Sequence, residues 1–274
     1  MICDVHAHYI PKNFSDFMGD RFPTRVGVPV KRGIARHPVS DSAEDIQGRL
    51  ELMDSAGVEK QVLSPNHPPY LPDEAECVKA IQMLNDGCTE LAHRYPQRIA
   101  SYVMLPLPHI DAALKEMERG FDQLSCVGVN MHIICLNRSV AETEFEPIYA
   151  ETNRRGAVLF VHPAGTGICS PFIVDYGYRA AVGTSLEDAT FVLHMIAKQI
   201  PHRYPNIKFI VPILAGRSRC CSIASTSKAR ARAAIRTSPK RQASQPRNSG
   251  TTPCATARRP RLRVRWRHSG RIIW

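Results

Sequence analysis

Acidic residues are missing from the last part of this 274-residue sequence. Between Ile213 and Trp274 there are sixteen Lys and Arg and not one Asp or Glu. Residues 1–212 hold the other twenty basic residues and all twenty-five acidic ones, so the net charge of +11 combines −5 before residue 213 with +16 after it. A basic chain often binds nucleic acid, because Lys and Arg neutralise phosphates. Here that inference applies to residues 213–274 alone.

Long apolar runs are absent too. No segment approaches the roughly 18 uninterrupted apolar residues that a membrane helix needs. The N-terminal stretch MICDVHAHYIP lacks the basic region and apolar run of a signal peptide. The nine Cys are an odd number without the spacing of a disulfide framework. We therefore expect a cytoplasmic protein with free thiols and no membrane partner.

The first 212 residues alternate short apolar, β-branched runs with longer amphipathic stretches. This alternation predicts repeated βα units around a parallel sheet. The predicted strands are Ile2–His6, Lys60–Ser64, Ile99–Leu105, Cys126–Met131, Ala157–His162 and Ile207–Val211. The predicted helices are Glu44–Ala56, Asp73–Arg94, Ile110–Leu124, Phe145–Arg155 and Leu186–Ile200. A (β/α)8 barrel needs eight strands, so the pattern stops about two units early.

Two histidines alternate at the end of the first predicted strand. Asp4, His6 and His8 occupy alternate positions in DVHAH, so we expect their side chains on one face of the strand, inside the barrel. Two imidazoles at i and i+2 can bind one metal ion, although an isolated pair also arises by chance. The position favours a metal site, because barrel enzymes place their functional residues at the C-terminal ends of strands.

Other histidines follow later strands. His162 ends the apolar run in AVLFVHP, a position that suits a metal ligand or a base, although alone it is weak evidence and also fits an ordinary residue at a strand end. The fourth strand ends in CVGVNMH, where His132 is either a pocket residue or a surface residue, and we favour the surface. His67 in PNHPPYLP either lies on the functional face or only belongs to a rigid turn.

Several stretches together resemble a known family. They are DVHAHYIP, RLELMDSAGVEKQVLSP, LAHRYPQRIASYVMLPL, FEPIYAETNRRGAVLFVHP and HRYPNIKFIVP, and they span residues 1–212 almost without interruption. The chain resembles the amidohydrolase superfamily and, within it, aminocarboxymuconate-semialdehyde decarboxylase and related non-oxidative decarboxylases. The resemblance implies an α/β fold, a (β/α)8 TIM barrel, here an incomplete barrel domain of about six βα units over residues 1–212.

The resemblance also implies a metal site. This group holds one divalent metal, usually zinc, with the H-x-H pair of the first strand, a His after the fifth and an Asp after the eighth; a further His after the sixth strand lies beside the metal. His6, His8 and His162 match the first three ligands by position. The other two have no counterpart here, so no catalytic residue is assigned. A single metal is favoured, because Asn130 and His132 stand where binuclear members commonly carry a carbamylated Lys.

Arg49 lies in a region that resembles the family's contact with the substrate carboxylate. Arg suits that role because its planar guanidinium matches a carboxylate with two parallel hydrogen bonds. The alternative is a solvated helix residue that pairs with Glu51 or Asp54.

The function implied by the resemblance is metal-dependent, non-oxidative decarboxylation of a small unsaturated or aromatic carboxylic acid. Two alternatives stay open: a metal-dependent hydrolase of an ester, lactone or amide, and a non-catalytic remnant. Homodimer formation stays open as well.

Residues 213–274 form a basic, low-complexity tail that breaks the pattern. The family has a His-Leu-Gly-Gly-like turn where this chain has Ile213. The stretch ILAGRSRCCSIAST (213–226) can be encoded so that one added C, followed by reading again in threes, gives His-Leu-Gly-Gly-Ala-Leu-Pro-Met-Leu-Leu-Asn-Arg-Leu-Asp. We hypothesise that one base was lost at the Pro212 codon and that the tail is an out-of-frame translation, which we expect to be disordered. The competing interpretation is a genuine tail that binds nucleic acid through RRPRLRVRWRH.

Overall fold

The computed structural model describes residues 2–19, 40–65, 69–163 and 182–212. The basic tail and His67 lie outside the described residues. The strands are β1 (Cys3–Ala7), β2 (Lys60–Leu63), β3 (Ile99–Ser101), β4 (Val103–Met104), β5 (Gly128–His132), β6 (Ile134–Cys135), β7 (Arg138–Ser139), β8 (Val158–His162) and β9 (Lys208–Ile210). The α-helices are α1 (Lys12–Met18), α2 (Ala43–Ala56), α3 (Glu74–Arg94), α4 (Ile110–Asp122), α5 (Glu146–Arg154), α6 (Thr184–Ala197) and α7 (Ile200–Arg203).

Six parallel strands form the sheet, if β3 and β4 are counted as one interrupted strand. The order is β1-β2-β3 in one part and β4-β5-β8-β9 in the other. Tyr102 alone separates β3 from β4, and its backbone N–H donates to the carbonyl of Leu63 at 3.1 Å, which keeps the two parts together. All six predicted strands are confirmed, and so is the mixed α/β class. Within the described residues, β1 pairs only with β2 and β9 only with β8.

Helix α2 shows how the sequence sets the helix boundaries. The Ser42 hydroxyl accepts a hydrogen bond from the backbone N–H of Asp45 and caps the first turn. Gly57 ends the helix at φ 67°, a left-handed conformation that glycine adopts without a steric penalty. Ile46 and Met53 are buried against the sheet. Leu50 packs against the same cluster, while Arg49 is half-buried beside it.

The concave side of the sheet has its own apolar layer. It consists of Val62, Ala100, Tyr102 and Phe160, and the two aromatic rings stack with centroids 5.2 Å apart. Two larger clusters fill the space between the sheet and the helices. Residues that face the concave side at the C-terminal ends of the strands thus lie next to this apolar layer.

Asn85 of α3 supports the interrupted strand. Its side-chain amide donates to the carbonyl of Met104 at 3.0 Å, and its side-chain oxygen accepts from the Met104 N–H at 2.8 Å. The same amide also donates to the buried Glu116 at 2.6 Å. A helix side chain thus takes the place of a neighbouring strand at β4.

Several short elements were not predicted, among them the helix α7. The short helix α1 follows the first strand, and β6 and β7 form a hairpin after β5. Its two turn residues, Leu136 and Asn137, both have positive φ, as a tight two-residue hairpin requires. In the part of the chain that the structure describes, no helix combines the length and apolar character needed to cross a bilayer.

Candidate metal centre

An irregularity in β1 determines which side chains face the concave side of the sheet. Cys3 and Val5 pack against its apolar layer. Asp4, between them, turns the other way, and its Oδ2 accepts from the side-chain amide of Gln61 at 3.0 Å. The pairing register with β2 shifts between Asp4 and Ala7. The expectation that Asp4 shares a face with the two histidines is therefore wrong, because it assumed a regular strand.

The shift directs both histidines of the H-x-H pair toward β8. The ring of His6 lies 5.3 Å from that of Phe160 and 5.0 Å from that of His162, between centroids. A bulge of this kind re-aims a side chain without changing the strand's partners. His8 follows directly after the end of β1 and is exposed.

The Nε2 atoms of His6, His8 and His162 converge on one point. They are 2.9 Å apart for His6 and His8, 3.3 Å for His8 and His162, and 3.1 Å for His162 and His6. Three nitrogens bound tetrahedrally to zinc at about 2.0–2.1 Å lie about 3.3 Å from one another. This group of residues could hold a metal ion.

The tautomer of His162 suits a ligand. Its Nδ1 lies 2.7 Å from the carbonyl oxygen of Pro163, so Nδ1 carries the proton and donates it, while Nε2 presents its lone pair to the centre. His162 is only 6% exposed. Burial lowers the pKa of the His6 imidazole, and the nearby Asp4 carboxylate opposes this. Burial therefore favours the neutral His6 imidazole, the form that binds metals.

His132 is buried and not on the surface, which overturns our preferred interpretation. It is 5% exposed, and its ring stacks on that of His162 with centroids 5.4 Å apart and an interplanar angle of 26°. The two residues are direct partners in the pairing of β5 with β8. Its backbone N–H donates to the hydroxyl of Tyr70 at 3.0 Å. Sequence reasoning missed Tyr70, which stands in a Pro-rich loop with no signal of its own.

Comparison with known proteins identifies the family. Residues 3–212 match the family model described as Amidohydrolase. The chain belongs to the amidohydrolase family. It is 26% identical over 181 residues to gamma-resorcylate decarboxylase of Rhizobium radiobacter, a match that covers 61% of this chain and 55% of that protein. It is 28% identical over 183 residues to the gamma-resorcylate decarboxylase of Rhodococcus jostii, with the same shares covered.

The fold is shared with solved members of the family. In 5-carboxyvanillate decarboxylase from Novosphingobium aromaticivorans, solved with manganese and 4-hydroxy-3-methoxy-5-nitrobenzoic acid, the TM-score is 0.70 at 19% identity. That match covers 87% of this chain and 73% of the other. The chain thus spans about half the length of the curated amidohydrolase relatives described above, and its likeness to the solved structure is one of fold.

Arg49 of α2 forms hydrogen bonds with the segment that carries the H-x-H pair of this amidohydrolase chain. Its Nη2 donates to the backbone carbonyl of His8 at 2.6 Å, and its Nη1 donates to the side-chain oxygen of Gln61 at 3.0 Å. The ion pairs considered as an alternative are not what holds it: Asp54 pairs with Arg98, and Glu51 accepts from Gln47. Arg49 is therefore attached to the segment that carries the H-x-H pair.

Proposed function

We propose that this chain carries the metal centre of a non-oxidative decarboxylase that acts on a small aromatic or unsaturated carboxylic acid. The observation that supports it most is the convergence of three histidine Nε2 atoms, 2.9–3.3 Å apart, from β1, from the residue just after it and from β8. The relatives' names add the reaction and the substrate class, since gamma-resorcylate and 5-carboxyvanillate are both substituted benzoates.

His6, His8 and His162 would hold the metal, which we propose to be zinc. When bound, it supplies a positive charge that orients the carboxylate and neighbouring oxygen of the substrate. In the reaction, a general acid adds a proton to the ring carbon that carries the carboxylate. The bond from that carbon to the carboxylate then breaks, its electron pair restores the aromatic ring, and carbon dioxide leaves. None of the three histidines is assigned as the acid, because each is needed as a ligand.

Arg49 remains our proposal for the contact with the substrate carboxylate. A guanidinium has five N–H donors, and two of its nitrogens already donate to His8 and Gln61. The guanidinium is therefore attached to the backbone of the segment that carries the metal-binding histidines, and it keeps further N–H donors. An Arg49→Lys variant of an active enzyme should raise KM for the acid more than it lowers kcat, because Lys keeps the charge and loses the planar fork.

We further propose that residues 213–274 are out of frame and that the chain as written is impaired. Three observations support this. The acidic residues stop before residue 213, the codon reconstruction regains a His-Leu-Gly-Gly turn, and the family match ends at residue 212. Restoring the frame would supply the missing His and leave room for the last two βα units and their Asp ligand.

The test compares the chain as written with the frame-restored protein. The restored protein should release carbon dioxide from gamma-resorcylate or another hydroxybenzoate, and His162→Ala should abolish turnover. His93→Ala is the matched control, because His93 is an exposed residue near the end of α3. Acid release from an ester or lactone, without carbon dioxide from any benzoate, would favour the hydrolase alternative.

A further inference from the structure

Four hydrogen bonds connect the backbone of the H-x-H segment to helix α2. The backbone N–H of His6 donates to Asp4 Oδ1 at 3.0 Å, and Asp4 Oδ2 accepts from Gln61 Nε2 at 3.0 Å. Gln61 Oε1 accepts from Arg49 Nη1 at 3.0 Å. Arg49 Nη2 then returns to the carbonyl of His8 at 2.6 Å. We call Asp4, Gln61 and Arg49 the polar relay.

The polar relay has a fixed direction. An amide side chain offers a donor at one end and an acceptor at the other. Asp4 can only accept and Arg49 can only donate, so Gln61 satisfies both in one orientation and would lose both contacts if it were flipped. The relay is therefore a single arrangement and not one of two interchangeable states.

The relay begins and ends on the two residues whose side chains must converge. It holds the N–H of His6 and the carbonyl of His8, which lie on either side of Ala7, where the register shift of β1 ends. A bulged segment lacks part of its regular ladder, so its backbone needs other partners. Gln61 is also the direct pairing partner of Asp4 in the sheet. These two relay residues therefore form the last regular pair of β1 and β2 before the register shift.

We propose that the polar relay positions the metal-binding histidines by fixing the backbone of residues 6–8. Asp4 and Gln61 act as positioning residues: they touch neither the metal nor the substrate, and they set where the Nε2 atoms of His6 and His8 lie. The inference rests on the proposed metal centre. Mutation of residues that hold metal ligands in place through hydrogen bonds typically lowers metal affinity by about 10-fold to 100-fold.

The polarity of the relay provides a rescue experiment. Asp4→Asn keeps the acceptor for His6 but sets an amide N–H₂ against that of Gln61. Gln61→Glu keeps the acceptor for Arg49 but sets a carboxylate against Asp4. In the double variant, the new amide at position 4 donates to the new carboxylate at position 61, which still accepts from Arg49. All four links return with the net charge unchanged.

Two measurements on the full chain report the result. Hydrogen exchange of the backbone amides of residues 6–9 follows the segment without any metal, and visible absorption during a Co²⁺ titration gives the affinity of the three histidines. Each single variant should speed exchange and weaken Co²⁺ binding by about tenfold, and the double variant should come back to within about twofold of wild type. Gln47→Glu is the matched control, because Gln47 donates to Glu51 at 2.8 Å on the exposed side of α2; it should change neither.

The outcomes separate the relay from the metal centre. If the two substitutions are additive, or if the single variants exchange like wild type, the relay does not position the segment and the inference fails. If wild type binds no Co²⁺ while the single variants lose protection from exchange and the double variant regains it, the proposed metal centre fails, but the relay still fixes the backbone of residues 6–8. Co²⁺ binding that disappears in His6→Ala and weakens in the single variants supports both.

Discussion

Replacing Asn85 by Leu should destabilise the fold strongly, because Asn85 takes the place of a strand at β4. Leu has the same number and branching of side-chain heavy atoms as Asn, so the change opens no cavity and its main effect is to remove the polar contacts. It strips side-chain partners from the N–H and the carbonyl of Met104, both in a residue with no exposed surface. Each buried group left unsatisfied costs about 1–3 kcal/mol, so the free energy of unfolding should fall by about 2–6 kcal/mol. Glu116 loses its hydrogen bond from Asn85 but stays paired through its two hydrogen bonds from Arg119.

Urea unfolding followed by far-UV circular dichroism measures this loss. Both tryptophans, Trp266 and Trp274, lie in the tail, so fluorescence would not report on the core. Gln47→Leu removes an exposed amide from α2 and should stay within about 0.5 kcal/mol of wild type. A loss below about 1 kcal/mol in Asn85→Leu, with an unchanged denaturant dependence, would show that water or a shifted backbone satisfies Met104 and would refute the argument.

Three further predictions concern packing, metal and thiols. Gly120→Ala should destabilise the protein by about 1–3 kcal/mol in the same urea assay, because its new Cβ would lie 2.4 Å from Val103 Cγ2. The double variant with Val103→Ala should recover most of that loss, and no recovery would contradict the close approach of α4 to Val103. The purified chain as written should retain well under one equivalent of metal after dialysis against a chelator, by elemental analysis, because the fourth ligand is missing; one full retained equivalent would contradict this. Burial raises the pKa of Cys77 to about 11, so only about one Cys77 thiol in a thousand is ionised near pH 8. Iodoacetamide should therefore label Cys77 slowly near pH 8 and faster as the pH approaches 11, and rapid labelling near pH 8 would contradict the burial of this thiol.

The sequence predicted the strands well because each is a short apolar run between amphipathic stretches, a pattern that buried parallel strands require. That His6, His8 and His162 would form one set was implied by the resemblance to the amidohydrolase superfamily, and the structure brings the three side chains together. The strand pattern alone gave only their positions near the ends of strands.

The errors concern register. Strict alternation placed Asp4 with the histidines, whereas the shift in β1 puts it on the opposite face against Gln61. His132 was assigned to the surface because its neighbours in the chain say nothing about β8, and only the pairing of β5 with β8 sets it beside His162. Bulges and cross-strand partners depend on tertiary contacts, so a single strand's pattern does not contain them.

Restoring the reading frame by one base before the Ile213 codon, and then measuring metal content and carbon dioxide release on the same protein, tests whether this chain derives from a metal-dependent decarboxylase. We expect one tightly bound divalent metal per chain and release of carbon dioxide from a hydroxybenzoate, with both lost in His162→Ala. A frame-restored protein that is folded, metal-free and inactive on every benzoate tested would show that the proposed function is wrong.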